Sequence, residues 1–151
     1  MAINRIEIDG VAPAQVFELL ATPEAYAEWV IGPSHTDPVD PRWPAPGAVF
    51  RHRTGVPPLT VADVTSVVSV DPPQRIRLQA RMRRLLVATI DIEVSATGSG
   101  SLVVLEHRIV GGIACYLPRR LTDAAIRPRN QASLERLAGL ARRLSPARPT
   151  V

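Results

Sequence analysis

Two histidines lie in stretches whose residue types alternate, which is the pattern of half-buried β-strands. His52 shares a face with Phe50, while Arg51 and Arg53 occupy the opposite face, so we predict that His52 points inward. His107 has the same parity as the apolar residues around it, which is consistent with an inward orientation but does not establish it. An inward histidine can act as a general base, orient a ligand, or simply be a hydrogen-bonded interior residue.

Two more charged residues are candidates for proton transfer. Glu106 directly precedes His107, and its strand is apolar on both faces, so a β-bulge would exchange the two orientations. Arg81 lies on a strand that carries arginine at alternate positions. The catalytic candidates are therefore His52, His107, Glu106 and Arg81.

Large rigid side chains are concentrated in the first third of the chain, although the sequence has only two each of Trp, Tyr and Phe. Their clustering predicts either the wall of a pocket or the ordinary core beneath two short helices. Apolar positions farther along the chain would complete such a pocket. We predict ligand contacts at Tyr26, Trp29, Trp43, Phe50, Met82, Asn130, Leu134 and Leu137.

Asn130 lies on the apolar seam of the C-terminal helical stretch, four residues before Leu134. A buried amide must find hydrogen-bond partners. It could bind a ligand, or it could tie the kink that Pro128 is expected to produce in the helix. The sequence leaves both roles open.

Several kinds of chemistry are excluded or disfavoured. The chain has no lysine, which rules out a lysine Schiff base, and its single cysteine, Cys115, has no signal of activation. No closely spaced pair of metal ligands, P-loop, dinucleotide glycine fingerprint or serine nucleophile elbow is present. We expect neither a metal nor another cofactor.

The totals fit a small globular protein. With 151 residues, 46% of them hydrophobic and 21% charged, the chain predicts one domain over residues 1–145 and a flexible tail over 146–151. The N-terminus lacks a signal-peptide pattern, and no run approaches the roughly 20 apolar residues of a membrane span. We therefore expect a cytoplasmic protein whose oligomeric state the sequence does not indicate.

One predicted strand carries a stripe of arginines that invites a binding interpretation. If a three-residue loop spans Arg84–Leu86, Arg77 would lie opposite Glu93 on the next strand, and the stripe is partly neutralised. This favours a solvated outer face over a phosphate-binding surface, and no aromatic residues alternate with the arginines as in single-strand nucleic-acid binders. The stripe comprises Arg75, Arg77, Arg81 and Arg83.

Periodicity predicts a strand, two short helices, a run of antiparallel strands and one long helix. The helices begin near Pro13 and Pro23, and a proline-rich stretch, 33–46, is expected to contain little helix or ladder. Helical spacing returns over 118–144, with an apolar seam that includes Leu117, Leu121 and Ala125. The strands are predicted at 3–9, 48–54, 60–70, 74–84, 86–96 and 102–110.

This order predicts an α+β fold in which a curved antiparallel sheet of about seven strands wraps the C-terminal helix. A meander with one apolar face must cover that face, and the long helix is the only element large enough to do so. A strongly twisted sheet fits a single helix poorly along its length. The mismatch predicts a cavity between the two.

The same order, together with its local wording, resembles the START-like superfamily, also called SRPBCC. The matching pieces are IEIDGVAPAQVFELLATPEAYAEWV, WPAPGAVFRH, DPPQRIRLQARMR and RNQASLERLAGLA, which together span nearly the whole chain. The superfamily includes polyketide cyclase/dehydratase and pollen-allergen-related proteins. The resemblance implies a helix-grip fold with a pocket between sheet and helix, but no particular activity.

Three functional hypotheses follow. The first is binding of a small hydrophobic, aromatic or lipid-like molecule in the cavity. The second is a cyclase- or dehydratase-type enzyme that moves protons with a few polar cavity residues and needs no metal or nucleotide cofactor. The third is docking of the arginine stripe on a membrane surface or a protein partner; nucleic acid is not an expected partner.

Overall fold

The computed structural model describes residues 1–30, 33–36, 40–56 and 59–144, so the predicted tail at 146–151 lies outside the described residues. These residues form a seven-stranded antiparallel sheet, three α-helices and one 3-10 helix. The predicted helix-grip fold is confirmed. Among the described residues, no helix is both long and apolar enough to cross a membrane.

The sheet is an open meander with its first strand added at one edge, beside the last strand. β1 pairs with β7, and the remaining strands follow in sequence order from β7 back to β2. All pairs are antiparallel, as expected for neighbours joined by short connections. The strands are β1 Ala2–Asp9, β2 Pro33–Thr36, β3 Val49–Val56, β4 Leu59–Asp71, β5 Arg75–Met82, β6 Leu86–Ala96 and β7 Gly100–Gly111.

The alternation in the sequence correctly predicts which face of the sheet is buried. On β5, Ile76, Leu78 and Ala80 are buried, while the arginines between them are partly or fully exposed. On β7, the buried face includes Leu105 and His107. The inner face therefore combines an apolar floor with isolated polar side chains.

Two short helices separate β1 from the rest of the sheet. α1 spans Pro13–Leu20 and α2 spans Pro23–Trp29, each with proline in its first turn, where the missing N–H costs no helical bond. A 3-10 helix, Ile113–Tyr116, then leads to α3, Arg119–Leu144. α3 packs mainly against β1 and α2.

Pro128 lies inside α3, and the helix continues through it. The Asn4 side chain on β1 donates hydrogen bonds to the Arg127 carbonyl and the Gln131 side-chain oxygen, both at 3.0 Å. From the sequence, Asn130 was a candidate for stabilising the helix backbone at the kink expected next to this proline. In the structure Asn130 contacts His107 instead, and Asn4 reaches across from the sheet to bond the helix on either side of Pro128.

Two predictions about local structure are wrong, and one strand was not among those predicted. The stretch 33–46, expected to contain little ladder, includes the four-residue edge strand β2, which is compatible with Pro33 because proline is tolerated at the first residue of an edge strand. The β5–β6 turn comprises residues 83–85, because Arg83 adopts a left-handed conformation (φ 47°) and ends the ladder at Met82. Arg77 therefore lies opposite Asp91, and Arg75 opposite Glu93.

The second error concerns the start of the long helix and the residues just before it. Leu117 and Leu121, which were predicted to belong to its buried seam, are 52% and 63% exposed. The seam becomes continuous only from Asn130 onward. Leu117 lies before the helix, and no residue of α3 before Asn130 is buried.

Candidate functional site

The pairing of β3 with β4 brings three polar side chains together in the interior. His52 lies directly opposite Asp63, and its Nε2 is 3.8 Å from Asp63 Oδ2. The same nitrogen is 3.3 Å from Oγ1 of Thr65, two residues farther along β4. All three residues are buried, so this group is held in a medium where polar interactions are strong.

Tyr26 on α2 covers this polar group. Its ring centroid is 4.9 Å from that of Phe50 and 6.1 Å from that of His52. Burial, together with the nearby charge of Asp63, raises the pKa of Tyr26 to about 12, although a hydrogen bond with Thr65 opposes the shift. The phenol therefore stays protonated at neutral pH and can donate a hydrogen bond.

A second polar group joins β7 to α3. The Asn130 amide nitrogen is 3.3 Å from Nδ1 of His107, and both side chains are buried. With the amide placed in this way, Asn130 donates to Nδ1, so the ring proton of a neutral His107 resides on Nε2. Asn130 thus holds the orientation of a cavity histidine.

Both histidines are neutral at physiological pH. Burial, reinforced by the positive charge of Arg129, lowers the pKa of His52 and the pKa of His107 to about 4 each. Desolvation disfavours the charged imidazolium, and a cation nearby disfavours it further. The two rings therefore act as neutral polar groups.

Among the residues that the structure describes, two buried side-chain nitrogen atoms have no hydrogen-bond partner. They are Nε1 of Trp29, which always carries a proton, and Nε2 of His107. Leaving a buried donor unpaired costs about 1–3 kcal/mol, so native proteins rarely do so without a reason. Both side chains line the same cavity.

This cavity lies between the inner face of the sheet, the end of α2 and the middle of α3. The cavity is narrow, with a volume of about 50 Å³, and part of it is open to solvent. Polar residues lie along its sides and under the helix, and the floor is apolar. The lining residues are Tyr26, Trp29, Val30, His52, Asp63, Thr65, Leu78, Ala80, Met82, Leu86, Ile90, Ile92, Leu105, His107, Arg129, Asn130 and Ser133.

The structure places six of the twelve sequence-predicted site residues in the cavity wall. Two predicted catalytic candidates, His52 and His107, are there together with four predicted ligand contacts. Their participation in binding or catalysis stays a prediction. The four ligand contacts are Tyr26, Trp29, Met82 and Asn130.

Two catalytic candidates lie on the wrong face of the sheet. Arg81 is exposed on β5, and Glu106 lies opposite Asp91, on the outer face of β7. Since β7 runs without a bulge along β1, the alternation puts His107 inside and Glu106 outside. Neither Arg81 nor Glu106 can act on a molecule in the cavity.

Four predicted ligand contacts are buried behind the cavity rather than exposed to it. Trp43 and Phe50 pack against Tyr26 from its far side, and the indole of Trp43 donates to the Leu20 carbonyl at 3.4 Å. Leu134 and Leu137 are fully buried in the core. They follow the last lining residue of α3 and close the cavity at that end.

Sequence reasoning missed Asp63, Thr65, Arg129 and Ser133. Asp63 had a usable signal, because it interrupts a β-branched strand and the tight β3–β4 hairpin fixes it opposite His52. Arg129 gave no signal, because a long cationic side chain on a helix usually points to solvent. In the described part of the chain, no three His, Cys, Asp or Glu side chains converge in a metal-binding arrangement.

Comparison with known proteins agrees with the fold. The family described as "Polyketide cyclase / dehydrase and lipid transport" matches residues 4–143. The chain belongs to this family. A search of curated proteins by sequence found no match.

Solved structures show the same fold at low sequence identity. A Rhodobacter sphaeroides protein has 14% identity and a TM-score of 0.74, with 95% of this chain and 92% of that chain covered. The protein Ara h 8.0201 has 12% identity and a TM-score of 0.71, with 94% of this chain and 99% of that chain covered. StfQ, a di-domain ARO/CYC protein from the steffimycin biosynthetic pathway, has 14% identity and a TM-score of 0.71, with 93% of this chain and 50% of that chain covered.

Proposed function

We propose that this family member binds a small, largely apolar molecule that carries at least one hydrogen-bond acceptor. The observation that carries the proposal is the buried, unpaired indole N–H of Trp29 in the wall of a mainly apolar cavity. An acceptor atom on a ligand would satisfy this donor and recover the free energy lost by burying it unpaired. Nε2 of His107 offers a second point of attachment.

The chemistry of the wall supports an apolar ligand with few polar atoms. The floor consists of aliphatic side chains from β5, β6 and β7, which would bury a hydrocarbon skeleton. The polar side chains are isolated at the rim of that floor, where they can fix orientation. The family description names polyketide cyclases, dehydrases and lipid transport, and polyketides and lipids both combine carbon skeletons with oxygen acceptors.

The narrowness of the cavity implies that side chains move when a ligand enters. Met82 and Leu86 face each other across the β5–β6 pair and are only partly buried. Methionine is unbranched and adapts to irregular volumes. We expect these two side chains to swing outward and widen the cavity from the end of the β5–β6 hairpin.

A pair of isosteric ligands tests the proposal directly. 2-Acetylnaphthalene carries a carbonyl acceptor, whereas 2-isopropenylnaphthalene has the same shape without one. Titration followed by naphthyl fluorescence should show one site for each, with the ketone bound up to about tenfold more tightly, as one net hydrogen bond predicts. Absence of saturable binding of both compounds would overturn the proposal.

Two tryptophan variants provide the matched control. Trp29→Phe keeps a ring in the wall but removes the unpaired donor, so it should abolish the preference for the ketone. Trp43→Phe makes the same change outside the cavity, at an indole that already bonds the Leu20 carbonyl. It should leave the preference unchanged, and an equal loss in both variants would contradict the role of Trp29.

The proximity of His52 to Asp63 favours a second candidate function, proton transfer at a bound carbonyl compound. Two titratable groups 3.8 Å apart in a cavity could remove and return a proton next to a carbonyl. However, His52 with a pKa of about 4 is a weaker base than an ordinary histidine. Binding alone therefore has the stronger physical support.

Hydrogen–deuterium exchange distinguishes the two functions. If His52 removes a methyl proton of bound 2-acetylnaphthalene, D₂O will return a deuteron, and NMR will show loss of the methyl signal at catalytic protein concentrations. His52→Gln should stop this exchange while the ketone still binds. If wild-type protein gives no exchange above the buffer rate, the enzymatic alternative is excluded for this class of ketone.

A further inference from the structure

A cluster of large apolar side chains is exposed where the β5–β6 turn meets the start of α3. Tyr116 is 91% exposed, and the other members are between 45% and 63% exposed. Single exposed apolar residues are ordinary, but a contiguous group of this kind marks an interaction surface. We call this group the apolar tip; it consists of Leu85, Ile113, Tyr116, Leu117 and Leu121.

Backbone hydrogen bonds make the apolar tip one surface. The amides of Ile113 and Ala114 donate to the carbonyls of Arg84 and Leu85, both at 2.9 Å. Gly112 lies between the segments with φ +82°, and a Cβ there would be 2.7 Å from the Leu85 backbone. Only glycine allows the 3-10 helix to lie this close to the turn.

Four exposed arginines flank the apolar tip. They are Arg83 and Arg84 in the turn, and Arg119 and Arg120 at the start of α3. The segments 81–90 and 111–122 contain no aspartate or glutamate, and Asp123, one helical turn after Arg119, is paired with the N-terminal ammonium at 3.3 Å. This region therefore presents a concentrated positive charge beside exposed apolar side chains.

Arg75 and Arg77 on the outer face of β5 differ from the arginines that flank the tip because they are paired with an acidic residue. Arg75 and Arg77 both bind Asp91, with nitrogen–oxygen distances of 3.1 and 2.9 Å. The hydrogen bonds and charges of these arginines outweigh the effect of burial and lower the pKa of Asp91. Arg75 and Arg77 are thus compensated within the sheet, whereas the four arginines that flank the tip are available to an external anionic surface.

We propose that the apolar tip docks on a membrane surface rich in anionic lipids. Exposed leucine and isoleucine side chains can enter the boundary of the acyl region, tyrosine favours the interface, and arginines attract anionic headgroups. A second copy of the chain is a poorer occupant. Symmetric contact between two tips would bring their arginines together and cost electrostatic repulsion.

The apolar tip lies at the end of the cavity that we expect to widen. Met82 and Leu86 flank the turn that carries Leu85, and both line the cavity. A protein docked by the tip would hold this end of the cavity against the lipid. The docking proposal stands on the exposed residues and does not require the proposed ligand.

Cys115 provides a built-in reporter of docking, since it is the single cysteine of the sequence and is exposed within the 3-10 helix. The thiol can be labelled with the environment-sensitive dye NBD. Vesicles of phosphatidylcholine and phosphatidylglycerol at 3:1 should increase NBD emission at low salt. Vesicles of phosphatidylcholine alone should give a much smaller change, and high salt should reverse the increase.

Matched variants of the unlabelled protein locate the surface by co-sedimentation with the same vesicles. The double variant Arg119→Gln/Arg120→Gln should weaken binding on the order of 30-fold, because each basic residue near an anionic surface contributes about fivefold. Leu117→Asp should also abolish most binding. Val68→Asp makes the same change in charge at an exposed apolar residue of β4 and should have little effect.

Three outcomes would overturn the proposal. The first is no sedimentation of the wild-type protein with the anionic vesicles at low salt. The second is an equal loss in Leu117→Asp and Val68→Asp, which would mean that the tip is not the docking surface. The third is a concentration-dependent dimer in analytical ultracentrifugation that Leu117→Asp dissociates, because the tip would then be covered by a second copy.

Discussion

The two halves of α3 have opposite relations to the rest of the protein. From Asn130 onward, one face of the helix is buried in the core, with Leu134 and Leu137 fully enclosed. Before Asn130, Leu121 is exposed, and Arg129 lies at the edge of the cavity. One helix therefore closes the core at its C-terminal half and leaves its N-terminal half available for contacts with other molecules.

This difference shows where stability and function are separated in the fold. The C-terminal half stabilises the domain through apolar burial, which tolerates few changes. The N-terminal half contributes Arg129 to the cavity wall and Leu121 to the tip, and neither residue is part of the buried core. The experiments below test this separation.

The largest expected effect is a loss of stability from truncation in the buried half. Leu137→Ala should lower the free energy of unfolding by about 2–5 kcal/mol, because it removes buried methyl groups and leaves a cavity in the core. Leu121→Ala makes the same chemical change in the exposed half and should alter it by less than about 0.5 kcal/mol. Urea unfolding of both variants would measure the difference, and equal losses would contradict the comparison.

The second effect is a pH dependence that originates in the two cavity histidines, whose pKa values are lowered by burial and by the charge of Arg129 in the N-terminal half of α3. The unfolded state binds more protons than the folded state between the ordinary histidine pKa of 6.5 and the folded value of about 4. The free energy of unfolding should therefore fall as the pH decreases through this range, by a few kcal/mol for the two histidines together. Urea unfolding at several pH values would measure it.

Arginine variants in the two halves of α3 test which positive charge controls this pH dependence. Arg129→Gln removes a charge that lowers both histidine pKa values, so NMR titration should show both values moving upward. Arg136→Gln makes the same change at an exposed position of the other half and should leave them unchanged. Equal shifts in the two variants would mean that general charge, rather than position, controls the histidines.

The smallest effect concerns the contact between helix and sheet at the boundary of the two halves. Asn130→Ala leaves Nδ1 of His107 without its partner and should cost about 1 kcal/mol of stability. ¹⁵N NMR of the wild-type imidazole should show the proton on Nε2. A proton on Nδ1 instead would reverse the orientation of the Asn130 amide and change the group that His107 offers to a ligand.

Much of the fold could be predicted from alternation and helical spacing. The predicted inward face of β5 matches the burial of Leu78, because a period of two is unambiguous where only one face is apolar. β7 is apolar on both faces, and its bulge-free pairing with β1 is what establishes that His107 faces inward. The β5–β6 register was missed by two residues. A left-handed residue such as Arg83 ends a ladder without leaving a mark in the sequence.

The candidate site was predictable only where its residues interrupt a regular pattern. His52 and His107 are polar residues on apolar faces, and they were found for that reason. Leu134 and Leu137 fit the helical pattern as well as Asn130 does, but the pattern does not show how far the cavity extends along the helix. Arg129 depends on the meeting of α3 with the sheet, which only tertiary structure establishes.

The ends of the sheet have a consequence for the behaviour of the protein at high concentration. β1 is covered by α3, and β2 is a four-residue strand that begins with proline and has an irregular register with β3. Long, flat, uncovered edges allow strands of separate molecules to join. Because this sheet offers neither edge in that form, the protein should resist fibril growth even where its cavity and tip leave apolar surface uncovered.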